Sequence, residues 1–132
     1  MPRKRRFGIS LNEDLAEKLD AICSVIGVSR SSFIQDAIEF GIKAHLHYTV
    51  EHYCEGVMIA IWSSSEKNIQ EVGEKLEKYK DIIVFNTHLH SKDNCILIAS
   101  LKGSSNVIAN LHTDLKKMEK VNVMYVPFSI ME

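Results

Sequence analysis

Between Gly56 and Phe128 the chain spells one pattern twice, and that repetition limits its fold more than any other feature. GVMIAIW, SSSEKNIQEVGEKLEKY and DIIVFNTHLH read as strand, helix and strand; CILIASL, SSNVIANLHTDLKKMEK and VNVMYVPF repeat the order. The first helix places Ile69, Val72, Leu76 and Tyr79 on one stripe, and the second does the same with Val107, Ile108, Leu111, Leu115 and Met118. Two βαβ halves joined by a hairpin predict a ferredoxin-like β-α-β-β-α-β unit.

The joining hairpin, IIVFNTHLHSKDNCILIASLKG over residues 82–103, carries the chemistry. Strand side chains alternate faces, so His88 and His90 share one face about 7 Å apart, with Phe85 and Leu89 on the other. Ser91, Lys92, Asp93 and Asn94 read as a four-residue loop, after which Cys95 opens the return strand. Two imidazoles and one thiolate form most of a transition-metal site. The plainer reading makes the histidines solvated strand-end residues and Cys95 a small buried apolar one.

Ahead of this repeat lies a different organisation. Arg3, Lys4, Arg5 and Arg6 put four cations in the first six residues of a chain whose formal net charge is −1, so the basicity is a local arm that suits focused contact with an anion. FGISL alternates apolar Phe7, Ile9 and Leu11 with Gly8 and Ser10, which predicts one short strand whose partner must come from elsewhere. Asn12 caps a helix over EDLAEKLDAICSVI, with Glu13 and Asp14 in its first turn and Gly27 at its end. Ser29 caps a second over RSSFIQDAIEFGIKAHL. Leu15, Leu19, Ile22 and Ile26 on the first, and Phe33, Ile34, Ala37, Ile38 and Ile42 on the second, are expected as core.

Strand, helix, turn and helix in this span resemble the ribbon-helix-helix DNA-binding domain. That resemblance implies an obligate dimer whose paired strands enter the major groove, with Arg6, Gly8 and Ser10 towards base edges. Ser29, Arg30 and Ser31 would then direct the second helix's N-terminus at a phosphate. THLH, a short polar loop and CILIASLKG resemble the metal-binding segment of the NikR-type nickel-responsive transcriptional regulators, a likeness that extends over nearly the whole chain. It implies an α+β chain: a ribbon-helix-helix domain at 1–46, a linker at 47–55, and an ACT-like ferredoxin-fold domain at 56–132 for metal sensing and oligomerisation. His88, His90 and Cys95 would supply three ligands to Ni2+, and a neighbouring subunit the fourth. Two departures stand out. Four residues separate His90 from Cys95 where the family has five, and Glu77 stands where the family has its fourth-ligand histidine.

The expected function is therefore a metal-responsive repressor of metal-uptake genes that binds a double-stranded DNA operator as a homotetramer, dimerising through the N-terminal strand and pairing again through the C-terminal domain. The alternative is the same architecture with copper, zinc or cobalt specificity, or with a non-metal effector. His45, His47, His52 and Cys54 have ligand chemistry too, but their spacing fixes no local geometry, and they read as surface and hinge residues. No phosphate loop, nucleophile elbow or His-Glu-x-x-His helix supports an enzyme. A folded C-terminal half argues against an antitoxin. No apolar run approaches the ~18 residues of a membrane span. With three cysteines, an odd number that suits a reducing compartment, the chain is expected in the cytoplasm.

Overall fold

The computed structural model describes residues 3–64 and 66–131. It divides into two compact units, Met1–Glu39 and Phe40–Glu132.

In the first unit, helix α1 (Glu13–Ile26) starts where Asn12 Oδ1 accepts the Leu15 N–H at 2.8 Å. It stops at Gly27, whose φ of 71° is the left-handed conformation that costs glycine nothing and lets its N–H reach the Cys23 carbonyl. Helix α2 (Arg30–His45) begins with the Ser29 hydroxyl accepting the Ser32 N–H at 3.1 Å. The stripes expected as core are only partly so. Leu15 is 49% and Ile22 46% exposed, Ile26, Ile38 and Ile42 are also exposed, and Cys23 is the buried residue of α1. Two helices cannot enclose an interior by themselves. The predicted strand at Phe7–Leu11 joins no ladder among the described residues, because an isolated strand has nothing to bond to.

The second unit is the ferredoxin-like repeat. Strands β1 (Tyr53–Ser63), β2 (Ile83–Ser91), β3 (Asn94–Ser104) and β4 (Val121–Pro127) form one antiparallel sheet in the order β2-β3-β1-β4. Helix α3 (Glu66–Lys78) follows β1, and α4 (Ser105–Lys116) follows β3. Met58, Ala60 and Trp62 of β1 and Leu97, Ala99 and Leu101 of β3 share a face and a buried cluster with Val72, Ile108, Leu111 and Leu115 of the helices. Ile69, expected on that stripe, is exposed. Alternate strand residues point the other way, and Ile61, Phe85, Leu89 and Met124 among them are exposed.

The hairpin is tighter than its sequence suggests. Ser91 pairs with Asn94, so the connection is the two residues Lys92 and Asp93 and not a four-residue loop. The Asp93 carbonyl accepts the Ser64 N–H at 3.1 Å, which tethers the turn to the end of β1. Both flanking residues gain ladder pairing that way, while Asp93 still finds a partner.

Candidate metal centre and nucleic-acid interface

The register of β2 against β3 sets His90 opposite Cys95 and His88 opposite Leu97. Directly opposed residues hold their Cβ atoms roughly 4.5–5.5 Å apart, and here the side chains close further: His90 Nδ1 lies 3.3 Å from Cys95 Sγ. Two ligands on one ion, at about 2.05 Å for nitrogen and about 2.3 Å for sulfur, sit about 3.1 Å apart at a right angle and about 3.5 Å apart in a tetrahedron. The observed pair falls between these, so its atoms fit a shared metal without moving. His88 projects from the same face two residues earlier, with its ring edge-on to Trp62 at 6.0 Å. Trp62 is itself opposite Cys95 across β1 and β3, so a buried indole stands beside the thiol on the same face. Cys95 is buried while His88 and His90 are exposed, so the soft ligand is shielded and the imidazoles face solvent.

Among the described residues no three His, Cys, Asp or Glu side chains already converge on one point. His88 must turn from Trp62 to join the other two. Glu77 is on the exposed side of α3, where its carboxylate meets the Lys80 ammonium at 3.3 Å.

In the first unit Arg3, Lys4, Arg5, Arg6, Gly8 and Ser10 are all exposed, with the Arg5 guanidinium 5.2 Å from the centre of the Phe7 ring. The start of α2 is less open than its sequence implied. Arg30 grips Asp20 with two bonds, Nε to Oδ1 at 2.5 Å and Nη2 to Oδ2 at 2.9 Å, and the Ser29 hydroxyl is occupied by its capping bond. Ser31 is exposed beside them. A phosphate approaching this helix end would compete with Asp20 for Arg30.

A further cluster was not foreseen. His47 and His112 are 3% and 2% exposed, and His47 Nε2 lies 3.0 Å from His112 Nδ1. Burial, reinforced by the neighbouring charges of His45 and Lys116 at His47 and of Lys116 at His112, lowers both pKa values to about 4. Both rings are therefore neutral at pH 7. Cys54 is buried as well, its Sγ 2.9 Å from the Tyr125 hydroxyl, and the Tyr125 ring meets His47 edge-on at 5.0 Å. The surface and hinge reading thus holds for His45 and His52 but fails for His47 and Cys54, which the turn at Leu46–Tyr48 and the start of β1 carry into the interior. His112 did leave a signal in the sequence. It falls four residues after Ile108 and three before Leu115, on the buried stripe of α4.

Comparison with known proteins agrees with both halves. Residues 55–127 match the family model of the NikR C-terminal nickel-binding domain, and residues 5–44 match that of ribbon-helix-helix proteins of the copG family. A protein of Rhodopseudomonas palustris (strain TIE-1) is 29% identical over 103 residues, covering 76% of this chain and 70% of its own. One of Thermococcus onnurineus is 29% identical over 119 residues, covering 88% and 86%, and one of Dictyoglomus turgidum is 29% identical over 123 residues, covering 88% of each. All three are provisionally named nickel-responsive regulators. An uncharacterised protein of Thermotoga maritima shares the fold over 58% of this chain and 99% of its own, with a TM-score of 0.56 at 20% identity. No helix among the described residues is long and apolar enough to cross a membrane.

Proposed function

We propose, from the premise that this chain belongs to the family of the NikR C-terminal nickel-binding domain, that it is a nickel-responsive regulator of transcription and represses metal-uptake genes. It is a DNA-binding regulator and not an enzyme. Residues 1–46 form the DNA-binding domain, 47–55 the connection, whose last residues already belong to β1, and 56–132 the sensing domain. The observation that carries the metal reading is the contact of His90 with Cys95 at 3.3 Å, with His88 on the same face. These three would hold the ion, with Glu77 of a neighbouring copy or water as fourth ligand. A bound divalent ion supplies a fixed positive centre that ties the hairpin to whatever offers the fourth ligand.

The chain's own residues do the rest. Arg6, with Gly8 and Ser10, faces base edges, while Arg3, Lys4 and Arg5 neutralise phosphates, joined by Ser29, Arg30 and Ser31 at the start of α2. The half-exposed stripes of α1 and α2 line a cleft of about 430 Å³ with Ile9, Leu11, Leu15 and Phe33, which suits closure by a second copy into a dimer. The exposed apolar side of the sheet supports the further pairing into a tetramer. A cytoplasmic location follows from DNA as the target. Metal alters DNA affinity only to the extent that it binds the DNA-competent arrangement more tightly than others.

Glu77 and the short connection favour a second reading of specificity. A carboxylate is a harder ligand than imidazole, so the site is more tolerant of copper, zinc or cobalt than a site with four soft or borderline ligands. The test is to titrate the purified chain with each ion while following absorbance, and to measure its affinity for DNA selected from a random pool with and without that ion. Ni2+ should produce a thiolate charge-transfer band and raise DNA affinity at least about tenfold, or about 1.4 kcal/mol. Equal DNA affinity with and without every ion would reject metal control, and leave a ribbon-helix-helix protein with another signal.

A further inference from the structure

We propose that the His47–His112 pair is an acid-released latch, which holds the segment leading out of α2 against α4 and lets it go when the buried rings take up protons. His47 lies in the turn at Leu46–Tyr48 and His112 on the buried stripe of α4. With His47 Nε2 3.0 Å from His112 Nδ1 and the ring centroids 5.2 Å apart, the rings meet end to end in one nearly straight N–H···N bond. The latch does not involve the hairpin, and it operates whether or not the hairpin binds metal.

Only one proton fits between the two facing nitrogens, and the neutral pair already has it. The outer nitrogens, His47 Nδ1 and His112 Nε2, are buried with no partner among the described residues. In the neutral pair one of them carries the second proton and the other a lone pair, so a third proton must go to a buried position that offers it no acceptor. A fourth would set N–H against N–H and break the bond outright.

The surroundings supply no counter-charge. His45 of α2, His52 ahead of β1 and Lys116 of α4 act on the pair, and each disfavours a further cation. Tyr48 and Tyr125 face it with their rings, the Tyr125 hydroxyl being shared with Cys54 of β1. The carboxylates nearest in the chain are engaged or directed elsewhere: Asp114 with Tyr79 and Lys78, Glu55 with Lys102 on the other side of β1, and Glu51 exposed. Burial first, and these cations second, lower both pKa values to about 4, against 6.5 for an open ring.

The rest of the segment shows what is let go. Ala44, near the end of α2, is buried, and the Tyr48 ring lies 5.7 Å from the Lys116 ammonium. Further on is a fastening whose groups do not titrate: the Ser105 hydroxyl accepts the His52 N–H at 2.9 Å, and the Ser105 N–H donates to the His52 carbonyl at 2.8 Å. Acid therefore frees residues 44–50 and leaves the chain tethered at His52. A ring whose docked pKa lies below its open one contributes fully to docking above the open value, and that contribution is lost as pH falls towards the docked one. From pH 7 to pH 5 one ring alone weakens docking about 20-fold.

Amide exchange of the full chain at pH 7 and pH 5, expressed as protection factors so that the intrinsic pH dependence of exchange cancels, tests the latch. Thr49 and Val50, whose N–H groups bond the Leu46 carbonyl, should lose protection at least about 20-fold, while the Ser105 N–H and the β1–β3 ladder keep theirs. His47→Phe with His112→Leu replaces the pair by apolar side chains, and in that chain the protection of Thr49 and Val50 should be the same at both pH values. Ring nitrogen resonances of the native chain give a measurement that needs no variant: both rings should be neutral at pH 5.5, with a nitrogen–nitrogen coupling across the shared proton. Unchanged protection of Thr49 and Val50, a parallel loss at Ser105 and the ladder, an equal drop in the double variant, or rings protonated at pH 7 would each overturn the proposal.

Discussion

Gly56→Ala is a one-carbon change whose sign the structure decides. A Cβ at Gly56 would lie 2.5 Å from the Tyr125 hydroxyl and 2.6 Å from Cε2 and from Cζ of the same ring. Ordinary carbon contacts begin near 3.5 Å, so the ring must retreat by about 1 Å. It has nowhere easy to go. Tyr125 is 1% exposed, its hydroxyl meets Cys54 Sγ at 2.9 Å, and its edge rests on His47. Overpacking of this kind costs about 1–3 kcal/mol, while replacing a strand glycine by alanine returns about 0.5–1 kcal/mol of backbone entropy. The net expectation is a loss of up to about 2.5 kcal/mol, towards the upper end because the ring is held on several sides. Gly73, on the exposed side of α3, has nothing within 4 Å of an added Cβ, so Gly73→Ala should instead gain up to about 1 kcal/mol. Urea denaturation at one fixed chain concentration measures both, since assembly would otherwise shift the midpoints. Adding Tyr125→Leu should recover part of the Gly56→Ala loss, giving a coupling of about 1 kcal/mol in a double-mutant cycle. A Gly56→Ala chain as stable as Gly73→Ala, or a cycle with no coupling, would refute the argument that Tyr125 is pinned.

The hairpin offers an optical test, because Trp62 is the chain's one tryptophan and stands 6.0 Å from His88: Ni2+ or Cu2+ should quench its fluorescence in the native chain and leave it unchanged once Cys95→Ser removes the soft ligand. Glu77→His should shift preference towards planar nickel, seen as a sharper Ni2+ spectrum and weaker Zn2+ competition; an unchanged order of ion affinities would exclude Glu77 from the site. Arg6→Ala should lower DNA affinity and relax sequence preference, whereas Arg3→Ala should weaken all sequences alike and reduce the salt slope by about one unit, so identical behaviour of the two would remove Arg6 as a base reader. The Tyr79 hydroxyl at 2.6 Å, helped by the Lys78 ammonium, holds the Asp114 carboxyl below its ordinary range. A depressed carboxylate pKa gives stability that is present above the ordinary value near 3.8 and is lost as pH falls through the folded one, so Tyr79→Phe should cost about 1 kcal/mol at pH 7 and progressively less below pH 4; a cost independent of pH would mean that packing alone is being measured.

What could be read in the sequence was local or periodic. The Asn12 and Ser29 caps and the Gly27 stop each depend on a few neighbouring residues, and each appears with its expected hydrogen bond. The buried stripe of α4 follows from spacing alone. The stripes of α1 and α2 were legible as apolar faces, but not as faces left open, because burial depends on what lies opposite and a single chain puts nothing there. His47 and His112 are 65 positions apart, and no local rule brings a residue just past α2 onto the middle of α4.

The hairpin shows how one residue of length can set a site. Two-residue turns pair positions separated by an odd number, so the separation of five between His90 and Cys95 puts them opposite each other and on the same face. His88, opposite Leu97, shares that face for the same reason. A connection longer by one residue, as in the family this chain resembles, gives a separation of six. A two-residue turn would then throw the cysteine to the far face, so an odd-length turn or a bulge is needed to bring it back. The shorter connection dispenses with that irregularity, and its flush ladder sets the thiol between His90 on one neighbouring strand and Trp62 on the other. The arrangement of ligands here therefore differs from that of a longer hairpin even where their chemistry is the same, and geometry is what selects among metals that accept nitrogen and sulfur. Inserting one glycine between Lys92 and Asp93 should consequently change ion preference while leaving all three hairpin ligands in place; titration of that variant with Ni2+, Cu2+ and Zn2+ checks it, and an unchanged order of affinities would mean that the turn does not set the geometry.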